Sequence, residues 1–297
     1  MYDLEKIQEL FGSDDLQYLR NKNRGGSSNQ KGNTYENFFV VYQIALLAQE
    51  VIENCCTATL FCQVIAFVDD LVIDNKDDNP LKHYQLKNST NVSCESRPRS
   101  ISDDFRKQYQ LNQSISRASE LHLVVPCCNL RTRLDANCPH EIRPYSIVVY
   151  FPYEHDLRRT VLQCAGFRAA IEYLSAFENP APDKIECVAL LLLGAWESGN
   201  KSNVSVPDIL KKAQAHNPSY IRSLRVDHQI DPQVAEILGK IPGFTYNLTK
   251  GFLHWQYGGL EKGTLRYSMD TDSFARFQAL IKNCKPSTFE ELESFLL

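Results

Sequence analysis

The feature that most restricts the fold of this chain is a change of hydrophobic period between Thr34 and Ser89. Phe38, Val41, Tyr42, Ala45 and Leu46 recur at helical spacing, with Thr34 placed as an N-cap and Glu36, Val40, Gln43 and Leu47 along a neighbouring line. From Thr59 to Val68 the residues turn β-branched and aromatic, and the run continues or turns into Leu71 to Ile73. A turn with three aspartates, Asp74 to Pro80, leads to a further strand, LKHYQLKNS. Two apolar strands joined this closely pair in one sheet, and the preceding helix must cover that sheet. The expected class is α/β, a mixed sheet with flanking helices.

The remaining pattern extends the same plan. Residues 102–117 read as a helix, with strands at 121–126 and 146–151. Helices are expected at 156–177, 184–196, 205–215 (opened by Ser205 and Pro207) and 232–240. Two strands then surround the Gly258-Gly259 turn, so that residues 203–283 look like a winged-helix module. At the start, residues 1–19 contain a short helix. Residues 20–33, polar and glycine-bearing with four cations, read as a solvated mobile linker. With 297 residues there is room for two cores, and the expected division is 1–155 and 156–297.

A formal charge of −4 argues against a protein that coats nucleic acid, while leaving room for a site of local carboxylates. Ten cysteines without regular spacing, including the adjacent pairs Cys55-Cys56 and Cys127-Cys128, read as reduced thiols. The N-terminus lacks a basic stretch followed by an apolar one, and Val188 to Trp196 is too short to span a bilayer. The expectation is a cytoplasmic protein with no membrane association.

One constellation carries chemistry: Glu36 on the first long helix, Asp69-Asp70 on a strand, and Gln85-Leu86-Lys87 on the next. Mg²⁺ takes oxygen ligands, commonly one or two carboxylates completed by phosphate and water. It lowers the pKa of a bound water, and a nearby lysine stabilises developing charge. Strand alternation points Gln85 and Lys87 to one face and Leu86 to the other. A hairpin between the strands sets Asp70 across from Gln85 and Lys87, and Glu36 completes the group. Alternation places only one of Asp69 and Asp70 on that face; Asp70, directly before the apolar run, is preferred.

A helix glutamate, a strand aspartate and a (D/E/Q)-x-K strand together resemble the PD-(D/E)XK nucleases. The matching segments are GNTYENFFVVYQIALL, FVDDLVI and HYQLKNS, and the resemblance covers about residues 24–126. The Q-x-K form is similar to the double-strand DNA endonuclease domain of bacterial defence, found with cyclic-nucleotide sensors in CBASS and beside an SMC-like ATPase in Lamassu-type systems. The resemblance implies a restriction-endonuclease-like fold and a Mg²⁺-dependent (or Mn²⁺-dependent) DNA endonuclease. Asp70 and Glu36 would be metal ligands, Lys87 would support the attacking water and the transition state, and Gln85 stands where relatives place a second carboxylate. The chain would be the effector subunit of a defence complex, with duplex DNA, an SMC-like ATPase and an accessory subunit as partners and homo-oligomerisation on activation. Two alternatives remain at this point: a catalytically inactive adaptor on a nuclease fold, and an enzyme acting on RNA or on modified DNA.

Other features are weaker. Arg97, Arg99, Arg106 and Lys107 follow the (D/E/Q)-x-K strand and are candidate DNA-backbone contacts or a solvated surface. Cys127, Cys128, Cys138 and His140 have zinc-ligand chemistry, but adjacent cysteines lack the usual spacing, and buried or loop residues are the expectation. His83 reads as a strand residue rather than a general base. Trp255, Tyr257 and Tyr267 are candidate partner contacts on a hairpin whose default role is core.

Overall fold

The structure, a computed structural model, describes residues 2–26, 30–75, 80–89, 91–95, 97–217 and 219–296. Three helices come first: α1 (Leu4–Phe11), α2 (Ser13–Gly26) and α3 (Gln30–Asn54). Of the expected linker 20–33, residues 20–26 and 30–33 therefore belong to helices and 27–29 lie outside the described residues, and Thr34 lies inside α3 rather than capping it. α3 is buried on nearly every side, with Tyr35, Phe38, Phe39, Val40, Val41, Gln43, Ile44 and Ala48 all taken out of solvent. Its C-terminal half keeps an exposed face, which carries Leu46, Gln49, Glu50 and Glu53.

The main sheet has six strands in the order β5-β4-β3-β2-β1-β6. β1 (Thr59–Phe61), β2 (Leu71–Asp74) and β3 (Leu81–Leu86) form an antiparallel meander. α4 (Ile101–Ser114), started by the Ser100 cap on Asp103 N–H, returns the chain to β4 (Ser119–Val125), parallel to β3. α5 (Cys128–Ala136) leads to β5 (Ser146–Tyr150), again parallel. β6 (Val204–Ser205) closes the opposite edge against β1. The expected strand 59–68 stops at Phe61, and residues 62–70 form the β1–β2 connection instead. The aspartate turn at 74–80 lies partly outside the described residues.

Both faces of the sheet are covered, which fits the unbroken burial of Leu121–Val125 on β4, His122 included. On one face Leu60, Leu71, Ile73, Tyr84 and Leu86 pack on α3. The same core continues through α6 (Leu157–Gln163), α7 (Ala165–Leu174), α8 (Pro182–Glu197) and α9 (Val206–His216), so apolar packing crosses residue 155 without a break. Burial of each large side chain here, such as Phe39 or Phe167, contributes about 1.5–3 kcal/mol. The expected helix 156–177 is two helices, divided at Cys164. On the other face α4 and α5 form a second cluster, and α1 and α2 pack Ile7, Leu16 and Leu19 against Phe67 and Leu111.

The last part has its own core, made by α10 (Pro232–Gly239), β7 (Phe244–Thr249), β8 (Phe252–Tyr257), β9 (Glu261–Thr264), α11 (Asp272–Cys284) and α12 (Phe289–Leu296). It holds three strands where two were expected. The missed turn is Lys250-Gly251, both at positive φ (54° and 84°), as a two-residue hairpin turn requires. Gly251 also sits where a Cβ would lie 2.2 Å from that of Ser223, which leaves no room for any other residue. Tyr257 stacks on Phe289 with ring centroids 3.9 Å apart, and Trp255 packs on the same ring, so both serve the core. Among the described residues no helix is long and apolar enough to cross a membrane.

Candidate active site

The candidate residues meet at the end of the sheet where β2 begins and β3 finishes. The β1–β2 connection that presents Asp69 and Asp70 is irregular, so its backbone groups need partners from side chains. Gln108 of α4 accepts the N–H groups of Phe67 and Val68 at 2.9 and 3.3 Å. His83 of β3 bonds the Val68 carbonyl through Nδ1 at 2.9 Å. Wholly buried, His83 has its pKa pushed down to about 4 by desolvation, so its ring is neutral and Nδ1–H donates. On the far side Nε2 lies 3.0 Å from the Tyr2 hydroxyl. His83 is a buried support for the connection and is remote from a general base in environment.

The β2–β3 register pairs Leu71 with Tyr84 and Val72 with His83, which carries Asp70 opposite Gln85. Asp70 Oδ2 accepts the Leu86 backbone N–H at 2.6 Å and the Gln85 side-chain amide. Gln85 is almost fully buried, and its Oε1 accepts from Lys22 Nζ at 3.1 Å. Asp69 also faces the site, because the alternation that would separate it from Asp70 does not apply outside a regular strand. It pairs with Lys22 at 3.0 Å. Lys22, on α2, further contacts the Phe67 carbonyl at 2.5 Å and Asp104 Oδ2 of α4 at 3.4 Å.

Glu36, half-buried on α3, comes in from the other layer. Burial raises its pKa to about 7, and the charges of Asp70 and Asp69 add to the shift against the opposing pull of Lys87 and Lys201. Asp69 is raised as well, by burial first, with Lys22 opposing. Burial also works against charge on Lys22, yet Asp69, Asp104 and Asp70 outweigh it and hold the ammonium charged. Lys87 follows β3, its N–H bonded to the Val124 carbonyl at 3.0 Å. Its field reaches Glu36 and Asp69, and among the described residues it makes no ion pair within 4.0 Å.

Several residues here gave no sequence signal. Lys22 lay in an apparent linker. Lys201, just before β6, donates to Asn37 Oδ1 at 3.1 Å beside Glu36, and Trp196 Nε1 donates to the same oxygen at 3.0 Å. Cys62 lies within the fields of Glu36 and Asp70; burial raises its thiol pKa and keeps it protonated. Only the rule that a buried polar group must find a partner would have pointed to them, and that requires knowing what is buried.

The candidate DNA contacts separate into two kinds. Arg97 is exposed and loosely paired with Glu95 at 3.8 Å, and Arg99 lies over the Tyr18 ring at 5.3 Å. Arg106 bonds Asp103 at 2.6 Å, and Lys107, mostly buried, bridges Asp15 at 2.7 Å and Asp103 at 3.2 Å. Lys107 thus ties α4 to α2. Cys127, Cys128 and Cys138 are free thiols, and among the described residues no three His, Cys, Asp or Glu side chains converge as a metal cluster.

Glu36 and Asp70 nevertheless suit a hard divalent cation shared with substrate. Both offer carboxylate oxygens, Asp70 is fixed by two donors to one oxygen, and Glu36, raised by burial first and then by the charges of Asp70 and Asp69, would gain from a nearby cation. Comparison with family models, with curated proteins and with solved structures returned no match for this chain.

Proposed function

We propose that this chain is a Mg²⁺-dependent DNA endonuclease on a PD-(D/E)XK-type core. The observation that carries the reading is the placement of Asp70 directly opposite Gln85, with Lys87 and Glu36 beside them, at one end of a mixed sheet. The mixed sheet with flanking helices, in which the meander β1-β2-β3 is followed by parallel β4, supports this reading at the level of fold class.

In this reading Glu36 and Asp70 hold Mg²⁺, or Mn²⁺, together with a substrate phosphate. The bound ion supplies charge neutralisation at the phosphate and acidity to a water. Gln85 and the Leu86 N–H orient Asp70. Lys87 places its ammonium where the attacking water and the charged phosphate meet. Arg97 and Arg99 are the exposed cations available to the DNA backbone.

The biological setting in this proposal is prokaryotic defence, as the cytoplasmic effector subunit of a Lamassu-like complex with an SMC-type ATPase and an accessory subunit. The part read as winged-helix-like, residues 203–283, would dock partners, since α10 carries no cation for DNA. The alternative reading is an inactive adaptor on the same fold.

Plasmid cleavage by the purified chain, with Mg²⁺ and with EDTA, separates the two. Metal-dependent cutting lost in Lys87→Ala and Asp70→Ala supports the nuclease. Equal cutting by these variants when folded, or none with partner proteins present, moves the adaptor forward.

A further inference from the structure

The Lys22 ammonium occupies a cage made wholly of oxygen. The Phe67 carbonyl lies at 2.5 Å, Asp69 Oδ1 at 3.0 Å, Gln85 Oε1 at 3.1 Å and Asp104 Oδ2 at 3.4 Å. These groups come from the β1–β2 connection, β3 and α4, while the ammonium enters from α2. Two carboxylates and two neutral oxygens form the donor set of a hard-cation site. Gln85 joins this cage to the candidate metal site, since its Nε2 bonds Asp70 while its Oε1 bonds Lys22.

We propose that Lys22 is a built-in cation filling the second of two adjacent cation positions, so that the chain takes one divalent metal, at Glu36 and Asp70, and not two. The one-metal statement rests on the nuclease reading above; the cage itself does not. Without Lys22, Asp69 and Asp104 would share a buried space with only the field of Lys87 on Asp69 and the Tyr18 hydroxyl on Asp104 to offset them. Such a pair either takes up protons or recruits a cation from solution. An amine on a long stem thereby does the charge-balancing work of a second metal while leaving only one site open to exchange.

The test counts bound Mn²⁺ by the loss of its free electron paramagnetic resonance signal, on the full chain. The expected result is one Mn²⁺ on the wild type, lost in Asp70→Asn, and two on Lys22→Met, the second lost when Asp104→Asn is added. Lys22→Gln, which keeps an N–H donor, guards against a folding failure. Thermal melting with and without Mn²⁺ adds an independent readout, because a new site stabilises its variant in proportion to ligand concentration. A single Mn²⁺ on folded Lys22→Met and Lys22→Gln, or a second one indifferent to Asp104, overturns the proposal, as do two on the wild type. No Mn²⁺ on the wild type overturns the Glu36–Asp70 reading and the one-metal statement with it, and is distinguishable because Lys22→Met is counted separately.

Discussion

Asp70 accepts the backbone N–H of Leu86 at 2.6 Å across the β2–β3 pair. One carboxylate oxygen is thereby fixed to the sheet by a charge-assisted bond, and the side chain is held in place before any ligand arrives. In Asp70→Asn the amide oxygen still accepts from Leu86, so the melting temperature should stay within a few degrees of wild type. Metal-dependent cleavage should fall on the order of 100-fold or more, as should that of Lys87→Ala. Plasmid nicking alongside thermal melting checks both.

Glu36 gives a pH signature. Its folded pKa, about 7, lies above the ordinary carboxylate value, so the folded state holds a proton that the unfolded state has released. The associated stability is complete below about pH 4.5 and is lost as pH rises through 7. Glu36 should therefore subtract stability over that window in the metal-free protein, seen as a wild-type minus Glu36→Gln difference that falls as pH rises. Melting temperature against pH, with EDTA present, measures it. Cleavage at saturating DNA and limiting Mg²⁺ should rise over the same window as Glu36 ionises.

Tyr2 anchors the N-terminal helices to the back of the site. Its hydroxyl accepts from Gln108 Nε2 at 3.0 Å and lies between two acceptors, His83 Nε2 at 3.0 Å and Asn112 Oδ1, that share its one proton. Tyr2→Phe leaves buried polar atoms short of a partner and should cost about 1–3 kcal/mol in urea unfolding. His83, with its pKa depressed to about 4, contributes stability present above pH 6.5 and lost as pH falls toward 4. The His83 contribution, opposite in sign to that of Glu36, should appear as a wild-type minus His83→Gln stability difference that shrinks as pH falls through that range.

The basic residues after β3 should divide by role. Arg97→Ala and Arg99→Ala should weaken DNA binding and lower its salt dependence by about one unit of slope for each phosphate no longer bound, with little change in melting. Lys107→Met should do the reverse, because Lys107 is buried between Asp15 and Asp103. Filter binding at several salt concentrations, paired with melting curves, separates them.

The local sequence determined the order of elements around the site, from α3 through β1, β2, β3 and α4 to β4, and the opposition of Asp70 to Gln85. Both follow from short-range rules: a strand has period two, and a short connection makes neighbouring strands pair. The same rules misjudged Asp69, because alternation holds only inside a strand and Asp69 lies in the connection before β2. They also misread residues 20–26, where a polar helix turns Lys22 inward and so looks like a linker. Tertiary structure alone decided that Lys22 meets Asp69, that Trp196 meets Asn37 beside Glu36, and that burial lifts the Glu36 pKa. The physical reason is that desolvation and charge pairing depend on which surfaces pack together. Asn37 and Trp196 stand 159 residues apart, and no local periodicity carries that information.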